Sequence, residues 1–293
     1  MSLFTGSCTA MITPFTETGV DYDAYGRLID FQIENGTDAI LIAGTTGEPP
    51  TMTAEEKAEL IRYGIEKVNK RVPVMVSTGG NNTAAVIENS IAAQKMGADL
   101  LLIVTPYYNK ATAKGLISHY NAVADAVSTP IMVYNVPGRT GLNLTPAVFY
   151  EIAKHKNIVA IKEASGNVAQ GQEMMRVTKG MADLYSGEDA LATALMAMGA
   201  KGVVSVVSNI LPKDTHAMTA AAAAGNFALA AEMQHKLNPV IDALFCEVNP
   251  IPVKTAAGLM GLCSDRMRLP LCPMEDATKA RLVSALREYG VSI

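Results

Sequence analysis

Eight short apolar runs, each followed by a segment of helical character, are what most narrows the fold open to this chain. The runs are Cys8–Thr13, Ala39–Ala43, Val72–Ser77, Leu100–Thr105, Ile131–Asn135, Ile158–Lys162, Leu184–Gly187 and Gly202–Val206. They are too brief for helices and rich in β-branched residues, which reads as buried strands. Helix signals lie between them: Thr53-Ala-Glu-Glu56 is a capping box, Thr145-Pro146 places an N-cap before a proline, and Gly36, Gly97 and Gly199 stand where helices should stop. Eight β-then-α units in the first 225 residues predict a (β/α)8 TIM barrel, because a doubly wound sheet usually has fewer strands. After Gly225 the strand pattern ceases. Asn226–Leu244, Ile251–Leu262 and Met274–Tyr289 read as a C-terminal extension of three helices, so residues 1–225 are expected to form the barrel and 226–293 a helical extension. The alanine run Ala220–Ala224 fits the helix closing the eighth unit.

Several function classes recede at this point. The 24 basic and 28 acidic side chains give a net charge of −4, with no basic stripe to displace phosphate counterions, so no nucleic-acid partner is expected. No apolar run approaches the roughly 20 residues that span a bilayer, and the opening Met1–Gly6 has no charged and apolar leader pattern. Cys8, Cys246, Cys263 and Cys272 form no C-x-x-C pair and fit reduced thiols in a cytoplasmic protein. The glycosylation triplets at Asn81 and Asn143 then count as chance. His119, His155, His216 and His235 are scattered, and no metal site is expected.

Barrel active sites sit at the carboxyl ends of the strands, so the residues that follow each run carry the chemistry. Asn157-Ile-Val-Ala-Ile-Lys-Glu163 drives four apolar residues into an ammonium. Alternation puts Ile158, Ala160 and Lys162 on one face and Val159 and Ile161 on the other. An amine among apolar neighbours is poorly hydrated, which favours the neutral, nucleophilic form; a strand-end lysine that snorkels to water is the plainer reading of this segment alone. Gly44-Thr-Thr-Gly-Glu48 lets backbone approach a ligand and offers the hydroxyls of Thr45 and Thr46 to a carboxylate, although it also fits a plain tight turn. Thr105-Pro-Tyr-Tyr-Asn109 presents adjacent tyrosines that point in opposite directions. In Tyr134-Asn-Val-Pro-Gly-Arg-Thr-Gly141, Tyr134 shares a face with Met132, which brings its phenol to the barrel mouth with Lys162. Arg139 suits bidentate recognition of a carboxylate. An amine, a phenol, two threonines and an arginine, all just past barrel strands, are the set needed to form a Schiff base with an α-keto acid.

Those segments, with Ile161-Lys-Glu-Ala-Ser-Gly166 and Ser186-Gly-Glu-Asp189, resemble the dihydrodipicolinate synthases, of the pyruvate-dependent superfamily typified by N-acetylneuraminate lyase. The resemblance covers essentially the whole chain, and Arg139 selects the synthase branch over the sialic-acid branch. It implies that Lys162 forms an imine with pyruvate and that the derived enamine attacks aspartate-4-semialdehyde, giving 4-hydroxy-tetrahydrodipicolinate on the route to lysine and diaminopimelate. It implies that Tyr134 moves protons in both steps. Thr46 and Tyr108 complete the hydroxyl relay, with Tyr108 entering from a neighbouring subunit of a homotetramer. Thr45 and Thr46 hold the pyruvate end, Arg139 binds the acceptor's carboxylate, and Gly187 and Val204 flank the pyruvate. No metal or organic cofactor is implied. The alternatives are an aldolase using pyruvate with a sugar-derived aldehyde, and a silent keto-acid-binding barrel. Many relatives are inhibited by lysine in a cleft between subunits, where Asn81 and Tyr107 match. Ala54, Lys57 and Ala85 replace the histidine and glutamate side chains of inhibited enzymes there, so weak or absent feedback by lysine is expected.

Overall fold

The computed structural model describes residues 3–293. Its eight strands are β1 (Gly6–Ala10), β2 (Ala39–Ile42), β3 (Val74–Ser77), β4 (Leu100–Val104), β5 (Ile131–Asn135), β6 (Ile158–Glu163), β7 (Asp183–Ser186) and β8 (Gly202–Ser205). They run parallel in sequence order and close when β1 pairs with β8, leaving no edge. The helices between them form the outer ring, and the expected capping box at Thr53–Glu56 and the Thr145 cap ahead of Pro146 are both made.

Two apolar layers follow from strand alternation. Ile40, Ile42, Val76, Ile103, Val133 and Ile161 face outward and pack under the helices. Cys8, Ala10, Leu41, Met75, Leu102, Met132, Ala160, Tyr185 and Val204 fill the barrel. Phe4 plugs the amino end of the barrel, its ring 4.4 Å from that of Tyr185 and its carbonyl accepting the Tyr185 hydroxyl at 2.6 Å.

Alternation fails at the start of β6. The register shifts there, so that Ile131 pairs with Ile158 but Met132 pairs with Ala160. Ile158 consequently joins the outer layer while Val159 packs against the inner one, reversing the faces expected for these two residues. From Ala160 onward the alternation holds, and Lys162 stands beside Tyr134 in register.

Beyond the barrel come helices Phe227–Leu244, Ile251–Leu259 and Asp276–Tyr289. The second ends three residues before the expected Leu262. Gly261 adopts φ +70°, and the Leu262 N–H turns back to the Ala257 carbonyl, terminating the helix. The third begins at Asp276, two residues after the expected Met274.

Besides an exposed ion pair between Arg266 and Glu17, two more deeply enclosed charged contacts fasten this C-terminal segment to the barrel. The Nζ of Lys254 lies 2.6 Å from Glu48, with both side chains fully buried. Burial pulls the Lys254 pKa below its ordinary value, and Glu48 opposes that fall. Nearby, Arg268 donates to both carboxylate oxygens of Glu56 at 2.6 and 2.7 Å. Lys254 and Arg268 also lie 4.1 and 4.3 Å from the centre of the Phe15 ring.

Lys254→Met strands an unpaired buried carboxylate, which costs about 3–5 kcal/mol. The double variant Glu48→Leu/Lys254→Met should recover much of that loss, as read by urea denaturation. The Arg268 contact holds the Glu56 carboxyl at about 2, against an ordinary 4.5. Its stabilisation is complete above pH 4.5 and disappears as pH falls through about 2. The unfolding curves of the wild type and Arg268→Ala should thus converge toward the acid end of that window. Parallel pH dependences would show that the clasp adds nothing.

Candidate active site

Lys162 is the penultimate residue of β6, inside the barrel mouth, and only 6% of its surface is exposed. It does not snorkel: its Nζ lies 4.2 Å from the centre of the Tyr134 ring, and it forms no ion pair among the described residues. Gly187 makes room for it. A Cβ there would stand 3.0 Å from Lys162 Cε and 2.6 Å from Ala164 Cβ, so any larger residue would push the lysine stem aside. The Gly187 N–H donates to the Glu163 carbonyl at 2.7 Å, tying the β7 loop to β6.

The neighbours of the two central residues lock the strand ends. Asn135, after Tyr134, donates to Glu163, after Lys162, at 2.9 Å. Glu163 also accepts from the Ser165 N–H at 2.8 Å, and Asn135 Oδ1 accepts from the Leu144 N–H at 2.9 Å. Because adjacent strand residues face opposite ways, this outward network fixes the strands while the amine and phenol face the cavity.

Thr45–Gly47 forms a tight 3-10 turn after β2, with Thr46 buried and Thr45 half-buried. Thr13 Oγ1 donates to the Gly47 carbonyl at 2.8 Å, and Glu48, at φ +57°, turns its side chain down to Lys254. Asn249 was missed from sequence; it lies between helices of the extension with no strand before it. Its Nδ2 donates to Thr46 Oγ1 at 3.0 Å, and its carbonyl accepts from Arg139 at 3.0 Å. With a lone pair of Thr46 occupied, the hydroxyl proton remains available to the cavity. Arg139 sits on one helical turn, Pro137–Thr140, and is otherwise exposed.

These parts enclose a cavity of about 110 Å³ bounded by Thr45, Thr46, Tyr134, Arg139, Lys162 and Gly187, among others. A wider vestibule of about 350 Å³ leads outward past Tyr107, Thr140, Pro250 and Leu271, sharing Thr45, Tyr134, Arg139 and Asn249 with the inner chamber. Two expected residues lie elsewhere. The residue that reaches the wall from this part of the chain is Val206, just past β8, not Val204, because Val204 is two residues deeper and packs in the barrel interior with Cys8. Tyr108 is 90% exposed on its own chain and borders neither chamber.

Glu188 and Phe245 also line the inner chamber and were not identified from sequence. Burial, then the carboxylates of Glu163 and Asp189, push the Glu188 pKa above the ordinary glutamate value. Asp189 is buried and likewise raised, by burial first, although its Oδ2 accepts the Val206 and Val207 N–H groups at 2.9 and 3.1 Å. Among the described residues there is no cluster of three or more metal-ligating side chains and no helix long and apolar enough to cross a membrane.

Comparison with known proteins identifies the family. The model of the dihydrodipicolinate synthetase family matches residues 3–289. A 4-hydroxy-tetrahydrodipicolinate synthase of Geobacter sulfurreducens is 50% identical over 287 residues, covering 98% of this chain and 99% of the relative. The dihydrodipicolinate synthase of Thermotoga maritima superposes with a TM-score of 0.97 at 40% identity, covering 99% of this chain and all of that one. That of Aquifex aeolicus gives 0.96 at 41% identity, covering 98% and 99%. The chain belongs to the dihydrodipicolinate synthetase family.

Proposed function

We infer that the chain condenses pyruvate with L-aspartate-4-semialdehyde to give 4-hydroxy-tetrahydrodipicolinate, a lyase reaction of lysine and diaminopimelate biosynthesis. One observation carries the reading most directly. A buried amine, Lys162, and a phenol, Tyr134, share a small chamber with the guanidinium of Arg139. A membership of this family at 50% identity supports the same assignment.

We assign the steps to residues as follows. Lys162 Nζ adds to the pyruvate carbonyl carbon and expels its oxygen as water, forming an imine whose positive nitrogen is the electron sink. Loss of a proton from the pyruvate methyl gives the enamine, and its carbon attacks the acceptor's aldehyde carbon. The aldehyde oxygen takes up a proton and becomes a hydroxyl. Tyr134 is the group placed beside the amine to carry these protons, with Thr46 next in the relay. Thr45 and Thr46, on their tight turn, hold the pyruvate carboxylate, and Gly187 leaves the space in which the imine stands. Arg139 binds the acceptor's carboxylate, its orientation set by the Asn249 carbonyl. Attack of the acceptor's amine on the imine carbon then releases Lys162 and closes the ring. No cofactor is required, since the imine itself takes the electrons.

We also assign residues 1–225 as the catalytic barrel and 226–293 as an extension that completes its mouth, placing Asn249 and Lys254 against the Gly44–Glu48 loop. The assembly proposed is a cytoplasmic homotetramer in which Tyr108 completes a neighbour's relay. Tyr108 supports this by its setting: a non-glycine residue at φ +69°, 90% exposed and next to the half-exposed Tyr107. That backbone is strained, and the ring it displays borders neither chamber of its own chain.

Borohydride reduction in the presence of pyruvate should place the adduct on Lys162 alone, identified by peptide mass. Lys162→Arg should abolish it, because a guanidinium stays protonated. An equal yield from the arginine variant would end the covalent mechanism. Tyr108→Phe should lower turnover by on the order of a hundredfold. Mixing it with Lys162→Arg subunits should then restore partial activity through hybrid sites. If verified subunit exchange restores none, Tyr108 does not act across an interface.

A further inference from the structure

We propose that Glu188 binds the ammonium of the second substrate and, with Arg139, forms a receptor for an α-amino-acid head group. The inference rests on the function proposed above and concerns how that site selects its acceptor. An α-amino acid carries its carboxylate and ammonium on one carbon, so groups that read them must face the same small space. Arg139 and Glu188 both stand on the wall of the 110 Å³ chamber that holds Lys162.

Glu188 is the one carboxylate on that wall, and it has no partner. No donor among the described residues is hydrogen-bonded or ion-paired to its side chain, whereas the neighbouring Glu163 accepts from Asn135 and Ser165, and Asp189 accepts from two backbone N–H groups. Its backbone is held independently: the Ser186 hydroxyl donates to the Glu188 carbonyl at 2.7 Å and accepts its N–H at 3.2 Å. The side chain is thus presented rather than used for structure. Its carboxylate lies over Gly166, where an added Cβ would come within 3.6 Å of Oε1.

The other polar groups nearby carry no free negative charge. Asn249 spends its Nδ2 on Thr46 and its carbonyl on Arg139, and its Oδ1 is enclosed and without a donor. Glu48, which borders the vestibule, is neutralised by Lys254. A partly desolvated carboxylate that lacks a cation is costly until one arrives, so an incoming ammonium gains the full charge-assisted contact. The same aldehyde without an amino group gains nothing from it.

The probes are L-aspartate-4-semialdehyde as substrate and 4-oxobutanoate, its des-amino counterpart, as competitive inhibitor. Glu188→Gln and Glu188→Ala should raise the KM of the amino aldehyde roughly ten- to a hundredfold. The inhibition constant of 4-oxobutanoate should change by less than about threefold, within the range of a lost uncharged contact. Equal weakening of both aldehydes, in variants with unaltered melting, would mean that Glu188 shapes the chamber and does not read charge. No change in either would place the ammonium elsewhere; both results overturn the proposal. Borohydride trapping of pyruvate on Lys162 in the same samples separates the two layers. If wild-type protein traps none, the function fails; if trapping persists and selectivity does not follow Glu188, only this inference fails.

Discussion

The buried ion pair between Glu48 and Lys254 is the contact on which the site's construction turns. Neither charge reaches water, and each would be expensive alone. Because one lies on the loop after β2 and the other in the C-terminal extension, the pair forces two parts of the chain more than two hundred residues apart into one arrangement. Everything near it inherits that placement. Glu48 closes the Gly44–Glu48 turn, which presents Thr45 and Thr46. Lys254 lies on the helix just after Asn249, which reaches both Thr46 and Arg139. An apolar pair could fill the same volume at similar stability, but it would tolerate sliding. Two opposite charges with one good geometry do not, and a site that must hold a carboxylate and an imine in register benefits from that intolerance.

Much of this was legible in the sequence because the governing signals are local. Strand runs, caps and glycine stops each act within a few residues, so eight units could be counted and closed into a barrel. Lys162 and Tyr134 were also legible, since each lies at or next to the end of a run and period-two alternation predicts where it points. The alternation misled only at Ile158 and Val159, where a register shift has no signature in composition. Val204 was misplaced by one layer, because alternation fixes a face but not a depth along the strand.

Asn249, Glu188 and the Glu48–Lys254 pair were not legible. Their meaning comes from partners far away in sequence, and single-chain patterns carry no record of such pairings. A lysine in an alanine-rich amphipathic segment, such as Ile251–Leu259, ordinarily reads as a solvated face. Its burial reflects what the barrel loop supplies. Tyr108 is the complementary case: its sequence context suggested a role, yet its own chain leaves the ring in solvent.

The charge pattern of the inner chamber follows from the chemistry it must perform. Lys162 has to lose a proton before it can add to a carbonyl, and an ion pair with a carboxylate would hold that proton in place. The described structure meets this by giving Lys162 an aromatic face instead of a counter-ion. The negative charge on the chamber wall is Glu188, the residue after Gly187, whose carboxylate lies over Gly166 and is not ion-paired with Lys162 among the described residues. Separating the two matters because the substrates differ in charge. Pyruvate is an anion, best received by hydroxyls and a lysine about to become an iminium. The acceptor is a zwitterion, best received by a guanidinium and a carboxylate set apart. A chamber uniformly positive would admit two keto acids as readily as one keto acid and one amino aldehyde. The single unpaired carboxylate on its wall breaks that symmetry, so under the proposed assignment the order of charges around Lys162 distinguishes the two substrates before the carbon–carbon bond is made.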